Sequence, residues 1–142
     1  MRIRDAATSD YERIAELLDQ LGYPDTQVFL QSKIERLLTH PDEFLVVAED
    51  QDAIVGMMSV HLIPQLALQG DFARISYFSV DEKHRCRGIG KRLEEYCIEI
   101  AKSRNCNRIE VHCHTRREQA HRFYYRQGYS ESPKYLIKMM NQ

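Results

Sequence analysis

The first helical pattern of the chain ends at Gly22 and Pro24, and its apolar residues recur every three or four positions: Ile14, Leu17, Leu18 and Leu21. Ser9, with Glu12 three residues later, predicts a capping box at the start of this helix. A second helix is predicted from Asp25 to Thr39, ended by His40-Pro41, with an apolar side formed by Phe29, Ile34, Leu37 and Leu38.

The remaining segments alternate between strand and helix patterns. Residues 2–6 predict a first strand, and residues 44–49 and 53–63, separated by Asp50-Gln51-Asp52, predict a hairpin. The later elements are predicted in this order: a strand at 73–80, a helix of about four turns from Gly88, a strand at 108–113, a helix at 117–127 ended by Gly128, and a closing strand at 134–140. This order predicts one domain over residues 1–142 of the α/β class, with a mixed sheet and helices on its faces.

Composition and charge disfavour two classes of partner, nucleic acids and membranes. The 142 residues suffice for one core, and the net charge of −1 disfavours a nucleic-acid partner, because that binding relies on a large positive field. No apolar h-region opens the chain and no segment approaches the roughly 18 to 20 apolar residues of a membrane helix. We therefore expect no membrane partner and a cytoplasmic location.

The cysteines favour reduced thiols over disulfides or a metal centre. None of the four forms a Cys-x-x-Cys pair, and a chain of this length does not need disulfides. The tightest group of metal-ligating types is His112-Cys113-His114, but neighbouring strand residues point to opposite faces, so Cys113 would not join the two histidines. We expect no metal site.

Chemistry is concentrated in the turn before the third helix. Gly88 and Gly90 open that helix, and cationic residues surround them: Arg85, Arg87, Lys91 and Arg92. The first amide groups of a helix lack intrahelical acceptors and carry partial positive charge, so such a turn suits a pyrophosphate or a 3′-phosphate. A tight strand-to-helix turn with no ligand is the alternative. The patterns of a P-loop and of a dinucleotide-binding fold are both absent.

Two motifs resemble the GNAT superfamily of acetyltransferases, over nearly the whole chain. Arg85-Cys86-Arg87-Gly88-Ile89-Gly90 is similar to its Arg/Gln-x-x-Gly-x-Gly/Ala turn, and residues 120–129, AHRFYYRQGY, are similar to its Ala-x-x-Phe-Tyr-x-x-x-Gly-Phe/Tyr signature. The resemblance implies a mixed, mostly antiparallel sheet with a central V-shaped splay and helices on both faces. It also implies acetyl-CoA as co-substrate, bound by the six residues of the turn and by Phe78, Val80, Lys91 and Arg117.

The resemblance places Tyr124 near the thioester sulfur. A phenol, with an ordinary pKa near 10, can protonate a leaving thiolate and is itself protonated at neutral pH. The alternative for Tyr124 is a core aromatic residue beside Phe123.

The chain departs from the GNAT pattern at two positions. Arg117 replaces a frequent Asn, and Tyr77 stands where a Glu often serves as general base, so the base is not identified. His112 and His114 have ordinary pKa values near 6.5 and are candidates for this role, or they are surface or lining residues. The resemblance puts the acceptor between the first two helices and the third long strand, which points to Leu21-Gly22-Tyr23-Pro24 and to Tyr77. Tyr23, Tyr77 and His112 are the predicted substrate-binding residues.

Three functions from different classes follow. The favoured one is acetyl-CoA-dependent acetylation of a primary amine on a small molecule, with some similarity to aminoalkylphosphonate N-acetyltransferases. The second is acetylation of a protein lysine or N-terminus, and the third is a non-catalytic acyl-CoA sensor. A homodimer through the C-terminal strand, with Tyr135-Leu136-Ile137, and a core position for that segment are both compatible with the sequence.

Overall fold

The computed structural model describes residues 1–113, 117–132 and 136–140. Its Cα packing divides the chain into two compact units, Met1–His112 and Cys113–Gln142. The first unit contains β1 (Arg2–Asp5), α1 (Tyr11–Leu21), α2 (Gln27–Leu38), β2 (Glu43–Asp50), β3 (Ala53–Ile63), β4 (Phe72–Val80), α3 (Ile89–Ser103) and β5 (Arg108–Val111). The second contains α4 (Glu118–Arg126). The single domain over residues 1–142 stays a prediction.

The sheet has the strand order β1-β2-β3-β4-β5, with antiparallel pairing throughout except for the parallel pair β4–β5. The predicted hairpin is confirmed: β2 and β3 are joined by Gln51 and Asp52, whose φ angles of 50° and 63° are those of a tight hairpin turn. A bulge in β4 shifts the β3–β4 register between Ser59 and Val60, so that Ser59 lies opposite Tyr77 and Val60 opposite Ile75.

The two faces of the sheet carry separate hydrophobic cores, because successive strand residues point to opposite faces. One core joins the sheet to α3 and includes Val60, Ala73, Ile75, Leu93 and Cys97. The other joins β2 and β3 to α1 and α2 and includes Leu17, Ile34, Val47 and Met57. Helices therefore cover both faces of the sheet, as predicted.

The β4–β5 ladder is short. It runs from Phe72↔Arg108 to Ile75↔Val111, while β4 itself continues to Val80. The C-terminal half of β4 therefore lies beyond its ladder with β5.

Several predicted boundaries and elements were wrong. The capping box of Ser9 and Glu12 does not form, and α1 begins at Tyr11. The Asp10 carboxylate instead accepts a hydrogen bond from the Ala7 amide at 2.7 Å and forms an ion pair with Arg4 at 2.8 Å. The strand predicted at 108–113 ends at Val111. No strand is present among residues 136–140, and Lys134 and Tyr135, the start of the predicted closing strand, lie outside the described residues.

In the second unit, α4 ends as its sequence predicts. Gly128 has a φ of 93°, and its amide bonds the Tyr125 carbonyl at 3.0 Å. The Tyr129 amide donates to the Tyr124 carbonyl at 3.0 Å, which satisfies one of the carbonyls left over at a helix end.

Candidate active site

The β4–α3 turn forms an open cradle of main-chain amides. Gly88 is the N-cap of α3 with a φ of 78°, and a Cβ built on it would meet no atom of the described residues within 4 Å. In the part of the chain that the structure describes, no side chain caps the helix, and its first backbone hydrogen bond runs from the Arg92 amide to the Gly88 carbonyl at 3.2 Å. The amides of Ile89, Gly90 and Lys91 thus head a helix whose start is open to a ligand.

The side chains around the cradle are suited to phosphate groups. Arg85, Arg87 and Lys91 are all exposed, and Arg85 donates through Nε to the Val80 carbonyl at 3.4 Å. Cys86 has a φ of 66°, so the chain turns sharply between these cations. Amide donors, a helix N-terminus and three cations together fit the diphosphate of a nucleotide-type co-substrate.

Asp81 fixes the start of this turn, a role that sequence reasoning missed. The residue is 6% exposed, and its carboxylate accepts from Arg13 Nη2 at 3.0 Å, from Gln20 Nε2 at 3.0 Å and from His84 Nδ1 at 2.9 Å. Burial acts to raise the pKa of Asp81, but the hydrogen bonds from Gln20, His84 and the Lys83 amide and the charge of Arg13 outweigh it and lower the pKa to about 2. The turn is therefore attached to α1 through a buried carboxylate.

Phe78 and Val80 occupy the part of β4 beyond the ladder with β5. Both are partly buried against the core on the α3 face. They therefore lie on the strand that leads into the cradle.

Tyr23 and Tyr77 form an aromatic pair on the other face of the sheet. Their ring centroids are 5.3 Å apart with an interplanar angle of 80°, and the residues remain 50% and 40% exposed. Burial, and secondly the Tyr23 phenol, raise the pKa of Tyr77, so its hydroxyl is protonated at neutral pH. The nearby Ser79 hydroxyl donates to the Leu17 carbonyl at 3.0 Å, which fastens β4 to α1.

The remaining predicted residues lie at the end of the first unit or in the second. His112 is exposed and directly follows β5. His114 lies outside the described residues. In the second unit, Arg117 is the exposed N-cap residue of α4.

Tyr124 is buried in the second unit and contacts two aromatic rings. The centroids of Phe123 and Tyr129 lie 5.4 Å and 5.5 Å from that of Tyr124. Burial raises the pKa of the Tyr124 phenol strongly, Cys113 adds to this, and Arg117 opposes it. The phenol is therefore a proton donor, not an anion, at neutral pH.

A groove of about 520 Å³ lies elsewhere in the first unit, on α1 and the segment before α2. It is lined by Tyr11, Glu12, Ala15, Glu16, Asp19, Asp25 and Gln27. Neither the turn nor the Tyr23–Tyr77 pair contributes to it, so we do not assign it to the acceptor.

Comparison with known proteins identifies the class. The model of the acetyltransferase (GNAT) family matches residues 3–129. The chain is 29% identical over 132 residues to the aminoalkylphosphonate N-acetyltransferase of Salmonella typhimurium, covering 92% of this chain and 85% of that protein.

Solved structures agree on the fold. A transcriptional regulator from Bacillus halodurans C-125 is 28% identical, with a TM-score of 0.86 over 98% of this chain and 99% of the other. A GNAT family acetyltransferase from Staphylococcus aureus is 25% identical, with a TM-score of 0.82 over 98% of each chain.

The α/β fold and the open amide cradle at the start of α3 are compatible with a domain that binds a phosphate-bearing co-substrate. The chain belongs to the acetyltransferase (GNAT) family. It is accordingly an N-acetyltransferase with acetyl-CoA as co-substrate, and the cradle fits the phosphates of that molecule. In the described part of the chain, no helix is long and apolar enough to cross a membrane.

Proposed function

We propose that this enzyme transfers the acetyl group of acetyl-CoA to the primary amine of a small molecule, in a class that includes aminoalkylphosphonates. The observation that carries the proposal is the Tyr23–Tyr77 pair, a small aromatic surface on the part of β4 that extends past β5 and leads into the cradle. Both residues are partly exposed, so a small amine can reach them. The 29% identity to an aminoalkylphosphonate N-acetyltransferase over most of both chains supports the same class.

In the proposed site, residues of the first unit bind both substrates. The turn from Arg85 to Gly90, together with Lys91, holds the phosphates of the co-substrate, and the main chain of Phe78 and Val80 aligns its pantetheine arm. Tyr23, Tyr77 and His112 bind the acceptor. Arg117, the N-cap residue of α4, stays a predicted contact of the co-substrate.

Bound acetyl-CoA supplies a thioester. A bond forms between the acetyl carbon and the acceptor nitrogen, and the carbon–sulfur bond breaks to release the CoA thiolate. Tyr124 donates its phenolic proton to that sulfur; burial raises the pKa of the phenol, so the proton is present at neutral pH. The acceptor nitrogen must lose a proton. His112 is exposed and can pass this proton to water.

The test is a panel of acceptors with release of free CoA thiol as the readout. The panel contains 2-aminoethylphosphonate, ethanolamine, a lysine peptide and a peptide with a free N-terminus. Turnover of the small amines, with a KM that rises in Tyr77→Ala but not in Phe29→Ala, supports the proposal. Phe29 is a suitable control because it is an aromatic residue that is 51% exposed on α2.

Two other results would replace the proposal. Turnover confined to the peptides would indicate a protein acetyltransferase. Acetyl-CoA binding without turnover of any acceptor would indicate an acyl-CoA sensor. A cytoplasmic location and a homodimer stay predictions from the sequence, and Tyr135 of the proposed dimer segment lies outside the described residues.

A further inference from the structure

A row of four ionisable residues crosses four neighbouring strands. Glu43 of β2 lies opposite His61 of β3, His61 opposite Arg74 of β4, and Arg74 opposite Glu110 of β5. We call these four residues the charged row. Residues 73, 75, 109 and 111 pack into the core on the α3 face. Since strand residues alternate, Arg74 and Glu110 point to the opposite face.

The charged row lies beside the proposed acceptor surface. Tyr77 is opposite Ser59, and Arg74 is opposite His61, two residues further along β3 on the same face. Two residues along a strand span about 7 Å. Arg74↔Glu110 is also the pair just before the last one, Ile75↔Val111, so it stands where β4 leaves β5. A few bonds between the amine and the acidic group of an acceptor therefore suffice for one end to contact Tyr77 and the other to contact Arg74.

The contact between Arg74 and Glu110 leaves part of the guanidinium available. Nε and Nη2 of Arg74 both donate to one oxygen, Oε1 of Glu110, at 3.2 Å and 2.9 Å. A guanidinium carries five N–H donors, and within residues 1–113, 117–132 and 136–140 no other hydrogen bond of Arg74 is present. The side chains are 35% and 23% exposed, so solvent and small ligands reach the pair.

The spare donors of Arg74 favour an anionic ligand. Glu43 pairs with His61, and Glu110 pairs with Arg74, so each carboxylate already has a partner. Arg74 carries the permanent positive charge and has donors to spare. A phosphonate, phosphate or carboxylate presents two or three oxygens to the guanidinium, where Glu110 uses one.

We propose that Arg74 binds the oxyanion of a small anionic amine acceptor, and that this oxyanion replaces Glu110 as the partner of the guanidinium. The inference rests on the proposed function and sharpens it, because it selects amines with an acidic group a few bonds from the nitrogen. Glu110 then acts as an internal counter-ion that neutralises Arg74 when no acceptor is bound.

Two variants with opposite expected effects test this proposal. Arg74→Gln removes the cation, so the KM for 2-aminoethylphosphonate should rise at least tenfold while the KM for the neutral ethanolamine stays within twofold. Glu110→Gln removes the competing anion, so the KM for 2-aminoethylphosphonate should fall severalfold. The KM for acetyl-CoA should be unchanged in both. Arg104→Gln is the matched control, since it breaks another ion pair, to Asp42 at 2.6 Å.

Equal increases for the charged and neutral acceptors in Arg74→Gln, or weaker use of 2-aminoethylphosphonate by Glu110→Gln, would overturn the assignment of Arg74 and leave the proposed function intact. Wild-type protein that acetylates no small amine would instead contradict the proposed function. Calorimetric titration of 2-aminoethylphosphonate into the CoA-bound wild type and Arg74→Gln examines the same contact without turnover. Equal affinity of the two proteins there would also refute the role of Arg74. Circular dichroism checks that each variant is folded.

Discussion

Oδ2 of Asp81 lies 3.0 Å from Nη2 of Arg13, so the carboxylate at the start of the β4–α3 turn is joined to a residue of α1 that lies 68 positions earlier. Gln20, also on α1, bonds the other oxygen of Asp81 at 3.0 Å and accepts from the Glu82 amide at 2.9 Å. The turn that presents the amide cradle is therefore anchored to the first helix of the chain. This anchor gives the first prediction.

Asp81→Asn should lower stability at neutral pH by on the order of 2 kcal/mol, because it replaces a charged acceptor with an amide that cannot accept from every donor around it. The folded pKa of about 2 lies below the ordinary value near 3.9. The stabilising contribution of Asp81 is therefore complete above about pH 4 and is lost as the pH falls toward 2. Urea unfolding of wild type and variant at pH 7 and near pH 2.5 measures it. The same difference in unfolding free energy at both pH values would contradict this role.

Gly88→Ala should weaken acetyl-CoA binding at least tenfold. The φ of 78° costs a side chain roughly 1 to 2 kcal/mol, and the new methyl group stands in the open space of the cradle. Gly22→Ala is the matched control, because Gly22 has a φ of 107° with no atom near an added Cβ and ends α1. Scanning calorimetry should find similar losses of stability in both variants. Titration calorimetry should find a lower affinity for acetyl-CoA in Gly88→Ala alone. Equal affinities in both would remove the cradle from the binding site.

Gly56→Ala should destabilise the first unit by roughly 1 to 3 kcal/mol through overpacking. A Cβ at Gly56 would lie 3.1 Å from Leu93 Cδ1, 3.3 Å from Ile89 Cγ2 and 3.3 Å from the Ser79 carbonyl oxygen. Leu93→Ala alone should cost roughly 2 to 5 kcal/mol by leaving a cavity. The double variant should lose less than the sum of the two, because the added methyl group fills part of that cavity. Strictly additive losses of unfolding free energy would show that Leu93 does not limit the space at Gly56.

The sequence was sufficient for features that depend on neighbouring residues. The β2–β3 hairpin, the glycine that opens α3 and the glycine that ends α4 follow from turn chemistry and hydrophobic spacing. The motif that contains the cradle was also recognisable, although the local sequence alone left a turn without a ligand as an alternative.

The sequence was insufficient where distant residues compete or where register decides. Asp10 displaced the expected cap of α1 because Arg4 and the Ala7 amide both bind its carboxylate. The bulge that separates Tyr77 from Ile75 in the β3 register sets which side chains share a face with Arg74. Nothing in the local pattern of 72–80 reveals this shift, so the charged row was not predictable. The anchor at Asp81 was not predictable either, because its partners Arg13 and Gln20 are far away in the sequence.

Tyr124→Phe should lower kcat by roughly a hundredfold or more, the usual range for loss of a general acid, with little change in the KM for acetyl-CoA. Because burial raises the pKa of this phenol, wild-type kcat should not decline between pH 7 and 9 through loss of the Tyr124 proton. Tyr125→Phe is the matched control, as the adjacent side chain is exposed and its residue 55% accessible. The measurement is the pH profile of thiol release for all three proteins. Unchanged kcat in Tyr124→Phe would leave Tyr124 as a packing residue beside Phe123 and Tyr129 and would move the search for the proton donor to water or another side chain.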